Sequence, residues 1–204
     1  MVQSVYIALL HRLRATPRWS GMVSLQAEDV AQHSFSVALI AQALCAIERE
    51  VFSREIDVGE VLSAALLHDA TEALLTDVVA PVKKFSPAIQ SAFSRLETLA
   101  RDQMVGLLPP ELQAPYRAWM APASPAVSQI VHAADKLDAL CRCRSEVRRG
   151  NQDFAVALAQ IQATVDRFAR EMPAVRYFLD TFMPAFDHSI DEYRYLQAGD
   201  APQD

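Results

Sequence analysis

Apolar residues recur every three or four positions along most of this chain, a spacing that predicts amphipathic α-helices rather than β-strands. In the segment that starts at Glu28, for example, Val30, Val37 and Ala41 fall on one face of a helix. Prolines and short polar stretches interrupt the pattern and mark the ends of helices. The predicted helices span residues 4–14, 28–50, 58–75, 87–108, 111–120, 126–149, 154–171 and 174–195, with a kink or an interruption expected at Pro184.

The composition agrees with a single helical domain. The chain has 204 residues, of which 51% are apolar and 22% are charged, and only 5 are glycine. This supply of apolar residues is sufficient for one substantial core, and the scarcity of glycine favours helix over sheet. We therefore expect an all-α protein with one domain over residues 1–197 and a disordered C-terminal tail over residues 198–204.

The net charge of −6 argues against binding to long nucleic acids, because proteins that rely on contacts with the phosphate backbone are usually basic. A small phosphorylated substrate is compatible with this charge, since a metal ion and a few cations can reverse the field inside one pocket. The N-terminus lacks the apolar segment of a signal peptide, and no apolar run approaches the length of a membrane span. These features predict a cytoplasmic protein without a membrane partner.

The three cysteines are Cys45, Cys141 and Cys143. Their odd number, with two of them separated by a single residue, favours reduced cytosolic thiols over structural disulfides. The pair Cys141 and Cys143 could alternatively form half of a zinc site, although the sequence contains no second cysteine pair to complete one.

A histidine and an aspartate, His68 and Asp69, directly follow an apolar run that ends at Leu67, and Glu72 comes one helical turn later. An imidazole beside a carboxylate is costly to bury unpaired, so a metal ion is the simplest group that would neutralise both. The pair alone has a second interpretation, in which His68 is a core histidine capped by its neighbour and Glu72 is solvated.

Two further polar residues lie in apolar helical contexts, His33 in the second predicted helix and Asp135 in the sixth. Together with His68 and Asp69 they form the order H…HD…D, a mixed nitrogen and oxygen ligand set that suits manganese, iron, cobalt or zinc. Such a set leaves coordination positions open, where the ion can activate water and polarise a phosphoryl oxygen. Glu72 is placed to handle a proton or to orient the water.

This arrangement resembles the HD-domain metal-dependent phosphohydrolases, and most closely the YfbR-type bacterial 5′-deoxynucleotidases. The similarity extends from the first helix to about residue 190. It is carried by Arg18-Trp19, by the segments 28–34 (EDVAQHS) and 67–72 (LHDATE), by Thr76-Asp77, by 81–83 (PVK) and by 134–139 (ADKLDA). The resemblance implies a helical bundle, one divalent metal ion such as cobalt, a homodimer, and hydrolysis of deoxynucleoside 5′-monophosphates to a deoxynucleoside and phosphate.

Carried over residue by residue, the family pattern implies a ligand set, a catalytic carboxylate and several substrate contacts. The implied metal ligands are His33, His68, Asp69 and Asp135, and the implied catalytic carboxylate is Glu72. The implied substrate contacts are Arg18 and Trp19 for phosphate and sugar, Asp77 for the sugar, and Lys83 as a further candidate for the phosphate. Glu72 is then expected to help protonate the departing 5′-oxygen.

Thr76 and Val79 depart from the family pattern. The family carries a glycine immediately before the aspartate that corresponds to Asp77, and a proline two residues after it. Both departures lie in the loop that contacts the sugar. They therefore bear on the preference for deoxyribose over ribose rather than on hydrolysis itself.

Other functions are less well matched by the same motifs. Alarmone hydrolases of the HD type carry Glu-Asp where this chain has Glu72-Ala73, and cyclic-dinucleotide phosphodiesterases add a glycine-rich extension that is missing here. A different nucleotide or diester specificity within the HD family stays open. A non-catalytic nucleotide-binding HD protein would have lost a ligand or Glu72, and a helical scaffold would leave four buried polar groups unexplained.

Two neighbours of Asp135 could also reach an ion. His132 and Asp138 each lie three positions away, on the same side of the predicted helix. For both residues a supporting or surface role is the simpler expectation.

Overall fold

The structure, a computed structural model, describes residues 3–122, 124–189 and 192. These residues form helices, turns and one isolated β-bridge between Pro17 and Asp29, so the expectation of an all-α fold is confirmed. The α-helices are α1 (Tyr6–Leu10), α2 (Val30–Glu50), α3 (Val58–Leu67), α4 (Glu72–Leu75), α5 (Ala80–Lys83), α6 (Pro87–Gly106), α7 (Pro110–Met120), α8 (Pro125–Arg148), α9 (Ala155–Glu171) and α10 (Pro173–Thr181).

Helices α2 and α8 pack against each other at the centre of the bundle, and α3, α9 and α10 surround them. Leu44 of α2 and Leu137 and Leu140 of α8 are fully buried in the main core. Burying one such leucine side chain contributes about 1.5–3 kcal/mol relative to leaving it exposed. Because α2 carries His33 and α8 carries Asp135, the core fixes the relative position of these two side chains.

A second cluster holds the segment that follows α3. Tyr6 and Ala70 are fully buried in this cluster and pack with Met104 and Leu108. It therefore attaches α1 and the end of α6 to the turn that contains His68 and Asp69.

Side-chain caps begin the helices that position the polar residues. Asp57 caps α3 by accepting a hydrogen bond from the Glu60 N–H. Asp29 and Gln32 form a reciprocal capping box at the start of α2. His33 consequently lies in the first turn of that helix, with its side chain fully buried.

The prediction of one continuous helix over residues 58–75 is wrong. Helix α3 ends at Leu67, and α4 begins at Glu72 after a turn in which the Ala70 N–H donates to the Leu67 carbonyl. The Ala65 carbonyl, which would accept from the Asp69 N–H in a continuing α-helix, receives His68 Nδ1 at 2.7 Å. The His68 side chain thus competes with the helix for this acceptor, and His68 and Asp69 lie in the turn.

Near both ends of the described chain, short α-helices followed by 3₁₀-helices replace the long helices that were predicted. At the N-terminus, α1 is followed by a 3₁₀-helix over His11–Ala15. At the C-terminus, α10 ends at Thr181 and a 3₁₀-helix over Met183–Asp187 contains Pro184, so the expected interruption is confirmed. The predicted helix beyond residue 189 and the predicted tail over 198–204 lie outside the described residues, apart from residue 192.

Helix α2 is long and apolar enough to cross a membrane, by length and composition. The expectation that no apolar run approaches this length is therefore wrong. Half of its apolar 18-residue segment is buried inside the bundle. The helix packs on α3, α8 and α10, as the core helix of a folded domain does.

Thr76 has a strained backbone. The residue follows α4 with φ 63° and ψ 167°, a conformation that is essentially restricted to glycine. A β-branched side chain in this conformation costs of the order of 1–3 kcal/mol. The strain lies directly before Asp77, at the position where the family pattern has glycine.

Replacing Thr76 by glycine should stabilise the protein. Relief of the strain is expected to exceed the cost of ordering a glycine, giving a net increase of about 1 kcal/mol in the free energy of unfolding. Urea unfolding measures the change. The control is Thr98→Gly within α6, which should lose about 0.3 kcal/mol because glycine has a slightly lower helix propensity than threonine. Equal destabilisation by both substitutions would contradict the strain.

Candidate metal centre and substrate cleft

Four predicted ligands converge where α2, α8 and the turn after α3 meet. His33 Nε2 lies 3.3 Å from His68 Nε2 and 3.4 Å from Asp135 Oδ1. Asp69 Oδ2 lies 3.2 Å from His68 Nε2 and 3.5 Å from His33 Nε2. Donor atoms from three separate elements are thus gathered around one point.

The outer nitrogens of both imidazoles already have partners. His33 Nδ1 lies 2.6 Å from Asp138 Oδ2, and His68 Nδ1 lies 2.7 Å from the Ala65 carbonyl oxygen. Both partners accept hydrogen bonds, so each Nδ1 carries a proton. In the neutral rings the two Nε2 atoms therefore present lone pairs to each other at 3.3 Å. Such an arrangement requires a proton or a cation between them.

This donor set fits a divalent metal ion. One donor atom from each of His33, His68 and Asp135 lies within 4.8 Å of the others, and Asp69 adds a carboxylate oxygen beside both rings. Histidine ligands that are oriented through Nδ1 by a carboxylate or a carbonyl are typical of metal sites. The mixture of nitrogen and oxygen suits manganese, iron, cobalt or zinc.

The cysteine pair is not part of this centre. Burial raises the pKa of both Cys141 and Cys143 to about 12, and a protonated thiol is a poor ligand. Within the part of the chain that is described, the candidate metal group contains no cysteine. The alternative of a zinc half-site at these residues therefore receives no support.

Without a metal, protons take the place of the ion. Burial alone would lower the pKa of His33, but hydrogen bonds to Asp135 and Asp138 raise it to about 9. The pKa of Asp135 is lowered, because its contacts with His33 and the charge of Lys136 outweigh the opposing effect of burial. The metal-free centre is thus held together by the proton on the His33 imidazole, and an incoming cation must displace that proton.

Glu72, the predicted catalytic carboxylate, is buried beside the ligands. Its side chain has one oxygen, Oε2, with no hydrogen-bond partner among the described residues. Burial, followed by the charges of Asp69 and Asp77, raises the pKa of Glu72 to about 8. A carboxyl group with this pKa can hold a proton near neutral pH, which suits a general acid.

Lys83, the predicted phosphate contact, lies between two carboxylates. Its Nζ is 3.6 Å from Glu72 Oε1 and 3.5 Å from Glu97 Oε1. The side chain is partly exposed, so the ammonium group faces both solvent and Glu72. Lys83 is therefore as well placed to stabilise the charge on Glu72 as to contact a phosphate.

Arg18 connects the loop before α2 to the ligand set. The Arg18 Nη1 atom lies 3.0 Å from Glu28 Oε2 and 3.7 Å from Asp138 Oδ2. Asp138 also accepts a hydrogen bond from His33, so this carboxylate connects the Arg18 guanidinium group to a candidate ligand.

Trp19 is held by the same loop. The indole N–H donates to Glu28 Oε2 at 2.7 Å, and the ring packs on Phe154 with 5.2 Å between the centroids. The Arg18 guanidinium group lies 5.5 Å from the ring centroid. Trp19 adopts φ 60°, which is uncommon for a bulky residue and fixes the direction of its side chain.

Asp77, the predicted sugar contact, is half-buried and forms no hydrogen bond or ion pair with the described residues. Its charge nevertheless acts on Glu72, whose pKa it raises. Asp77 therefore lies on the same side of the centre as the candidate acid, with its own oxygens available to a ligand.

A cavity of about 240 Å³ adjoins the ligand set on the side of α7. His68 and Asp135 form one wall, and Trp119 and His132 line it further out. The His132 ring packs on Phe168, and burial lowers its pKa, so His132 is a neutral wall residue rather than a fifth donor of the cluster.

Three carboxylates support the centre, and the sequence suggests no role for two of them, Glu28 and Glu97. Glu28 binds Arg18 and Trp19, and Glu97 binds Lys83, while Asp138 was expected only to support or to be exposed. Asp138 was identified from its helical spacing, three residues after Asp135, and its contact with His33 agrees with the expected supporting role. The role of Glu97 has no signal in the sequence, since its partner lies on a different element.

The chain matches known proteins over most of its length. Residues 5–186 match the model of the family described as 5′-deoxynucleotidase YfbR-like. A curated 5′-deoxynucleotidase from Vibrio vulnificus is 34% identical over 194 residues, which cover 94% of this chain and 99% of that protein.

Solved structures show the same fold. An HD-domain phosphohydrolase from Listeria innocua has a TM-score of 0.79 and 27% identity, covering 95% of this chain and 93% of that chain. An HD phosphohydrolase from cyanophage S-2L, bound to dA and one catalytic Zn²⁺ ion, has a TM-score of 0.62 over 91% of this chain and 96% of that chain. It is only 17% identical, so its likeness concerns the fold alone.

The metal-free protein should lose stability as the pH rises towards about 9. The pKa of His33 is raised on folding, so its contribution is complete below the unfolded value of 6.5 and disappears as the pH passes about 9. The shift corresponds to at most about 3 kcal/mol in the free energy of unfolding. Urea unfolding with a chelator, at pH values on either side of this window, measures the loss.

Two controls separate the contribution of the ligand histidines, of which His33 is one and His68 also has a raised pKa, from that of Glu72. Saturation with a divalent ion should remove the loss, because the cation replaces the proton at Nε2. The Glu72→Gln variant removes the contribution of Glu72, whose raised pKa acts in the same direction. Unchanged stability across the window in metal-free Glu72→Gln protein would contradict the assignment to His33.

Proposed function

The chain belongs to the YfbR-like 5′-deoxynucleotidase family, and on this basis we propose that it hydrolyses deoxynucleoside 5′-monophosphates to a deoxynucleoside and phosphate. The protein is a phosphoric monoester hydrolase with an HD-domain fold. The match spans 94% of this chain and 99% of the length of its relative.

The observation that carries the proposal is the pair of imidazole nitrogens 3.3 Å apart, with carboxylates beside both. His33, His68, Asp69 and Asp135 would hold one divalent ion, and the ion supplies a Lewis acid that activates water and polarises a phosphoryl oxygen. Cobalt, manganese, zinc and iron all suit this donor set. The ion that the protein uses in the cell depends on supply as well as affinity.

The side chains around the ligands fit a phosphate monoester. Arg18 and Lys83 balance the negative charge of the phosphoryl oxygens in the transition state. Arg18 is preorganised by Glu28 at 3.0 Å, and Lys83 by Glu97 at 3.5 Å. Glu72, with its raised pKa, donates a proton to the departing 5′-oxygen.

Trp19 and Asp77 contact the nucleoside. The Trp19 ring packs on the sugar or base and gives little discrimination between bases by itself. Asp77 contacts the sugar and distinguishes deoxyribose from ribose. The strained Thr76 fixes the backbone that presents Asp77. A second candidate specificity, hydrolysis of ribonucleotides as well, is favoured by this departure from the family's glycine.

We also propose a cytoplasmic homodimer that binds neither long nucleic acids nor membranes. Phe35 and Leu39, four residues apart on α2, are 62% and 51% exposed, which supports a helix face that pairs with a second copy. The net charge of −6 supports the absence of a nucleic-acid partner. The catalytic domain of this proposal extends over residues 1–197.

Replacing Glu72 by glutamine should keep the metal and lose most of the activity. The amide cannot transfer a proton, so kcat should fall by about 10²–10⁴-fold while metal content, measured by elemental analysis, stays unchanged. Asp69→Ala is the contrasting variant and should lose metal and activity together. Loss of the metal from Glu72→Gln would instead make Glu72 a ligand or a support of one.

The proposed substrate is tested by phosphate release from the metal-stripped protein refilled in turn with cobalt, manganese, zinc and magnesium. Release from 5′-deoxynucleotides but not from 5′-ribonucleotides or 3′-monophosphates is the expected result. Release of phosphate from both 5′-deoxynucleotides and 5′-ribonucleotides would support monoester hydrolysis and establish the second specificity. The absence of release with every metal would contradict the proposal.

A further inference from the structure

The loop between Trp19 and Asp29 is attached to the domain at two places. Near the metal centre, Glu28 binds Arg18 and Trp19, and the Arg18 N–H donates to the Glu28 carbonyl at 3.0 Å. The far side of the loop, around Leu25, is attached to the C-terminal half of α8. A buried carboxylate lies at the centre of this second attachment and has no part in the chemistry described so far.

That carboxylate is Glu146, which is only 1% exposed. Its Oε2 accepts from the Leu25 N–H at 3.0 Å, and its Oε1 accepts from the Gln26 N–H at 3.4 Å. Oε2 also accepts from Asn151 Nδ2 at 2.7 Å, and Oε1 pairs with Arg142 at 2.6 Å. Both oxygens of the carboxylate are thus shared between the loop and α8 or its end.

The partners of Glu146 hold the same loop. Asn151 Nδ2 also donates to the Val23 carbonyl at 2.7 Å, and Arg142 also donates to the Gln26 carbonyl. Burial alone would raise the pKa of Glu146, but hydrogen bonds from Asn151 and the Leu25 N–H lower it. The anchor is therefore a charged, fully bonded group in the interior.

Helix α8 connects this anchor to the metal centre. Asp135 and Glu146 lie on the same helix, eleven residues or about 16 Å apart along its axis. Asp138, between them, contacts both His33 and Arg18. A rigid helix thereby sets the distance between the ligands and the loop that presents Arg18 and Trp19.

We propose that Glu146 is a positioning residue for substrate binding, which acts by holding the loop around Leu25 and Gln26 so that Arg18 and Trp19 face the metal centre. This inference rests on the proposed function, because it takes Arg18 and Trp19 as substrate contacts. An unanchored loop would have to be ordered again each time substrate binds, and affinity would fall by that cost. The ligands and Glu72 lie on other elements, so the chemical step is largely spared.

The test is the Glu146→Gln variant. The amide keeps one acceptor but turns N–H donors towards Leu25, Gln26 or Asn151, which already donate to this side chain. The KM for a deoxynucleoside 5′-monophosphate should rise about tenfold while kcat changes less than about threefold, the pattern expected when ground-state and transition-state binding are lost equally. Metal content should stay unchanged, and hydrogen exchange at the Leu25 and Gln26 amides should accelerate.

The matched control is Glu48→Gln. Glu48 is also a buried carboxylate, 5% exposed, but it lies on α2 and binds Arg54 at 3.2 Å rather than the loop. This variant should lose stability without changing KM. Asn151→Ala, which removes one partner of Glu146 and one contact with Val23, provides a milder variant if Glu146→Gln does not fold, and should raise KM in the same direction.

Binding of dAMP is also measured by equilibrium dialysis in a Glu72→Gln background, with and without Glu146→Gln. A weaker affinity in the double variant supports the positioning role even if wild-type protein releases no phosphate, in which case the proposed function alone fails. Unchanged affinity and KM in Glu146→Gln, with faster exchange at Leu25 and Gln26, would overturn the inference. An equal rise in KM for Glu48→Gln would overturn it as well.

Discussion

Two imidazole nitrogens facing each other at 3.3 Å form the contact on which the rest of the structure depends. Their outer nitrogens are bound to Asp138 and to the Ala65 carbonyl, so neither ring can turn its lone pair away without losing a hydrogen bond. The apolar core keeps the helices in place that bring the rings together. The resulting repulsion is relieved by a proton in the metal-free protein and by a cation in the metal-loaded protein. Metal binding and folding are therefore thermodynamically linked.

The helices could be predicted from the sequence because their apolar faces repeat with helical spacing and their ends carry prolines and capping side chains. The break after Leu67 could not. Hydrophobic periodicity continues through His68 to Leu75, and the cause of the break is a hydrogen bond from an imidazole to the Ala65 carbonyl. A side chain that competes with the backbone leaves no trace in the pattern of apolar positions.

The candidate ligands could be proposed from the sequence because polar residues in apolar helical stretches need a partner. Their supporting carboxylates were harder to find. Glu28 and Glu97 lie in ordinary polar surroundings, and their roles arise only when folding brings Arg18 and Lys83 beside them. Lys83 itself was expected to bind phosphate, whereas the structure also pairs it with Glu72, a contact between different elements that spacing along the chain does not reveal.

The proton on Glu72 and the charge of the metal centre are coupled. Burial and the nearby Asp69 and Asp77 raise the pKa of Glu72 to about 8, against the opposing charges of Lys83 and Arg18. A divalent cation beside Asp69 would partly cancel that carboxylate's charge and lower the pKa of Glu72, whereas a bound phosphate dianion would raise it again. In the metal-loaded protein the acid is therefore better protonated when the substrate is bound, which is the state in which a leaving oxygen needs a proton.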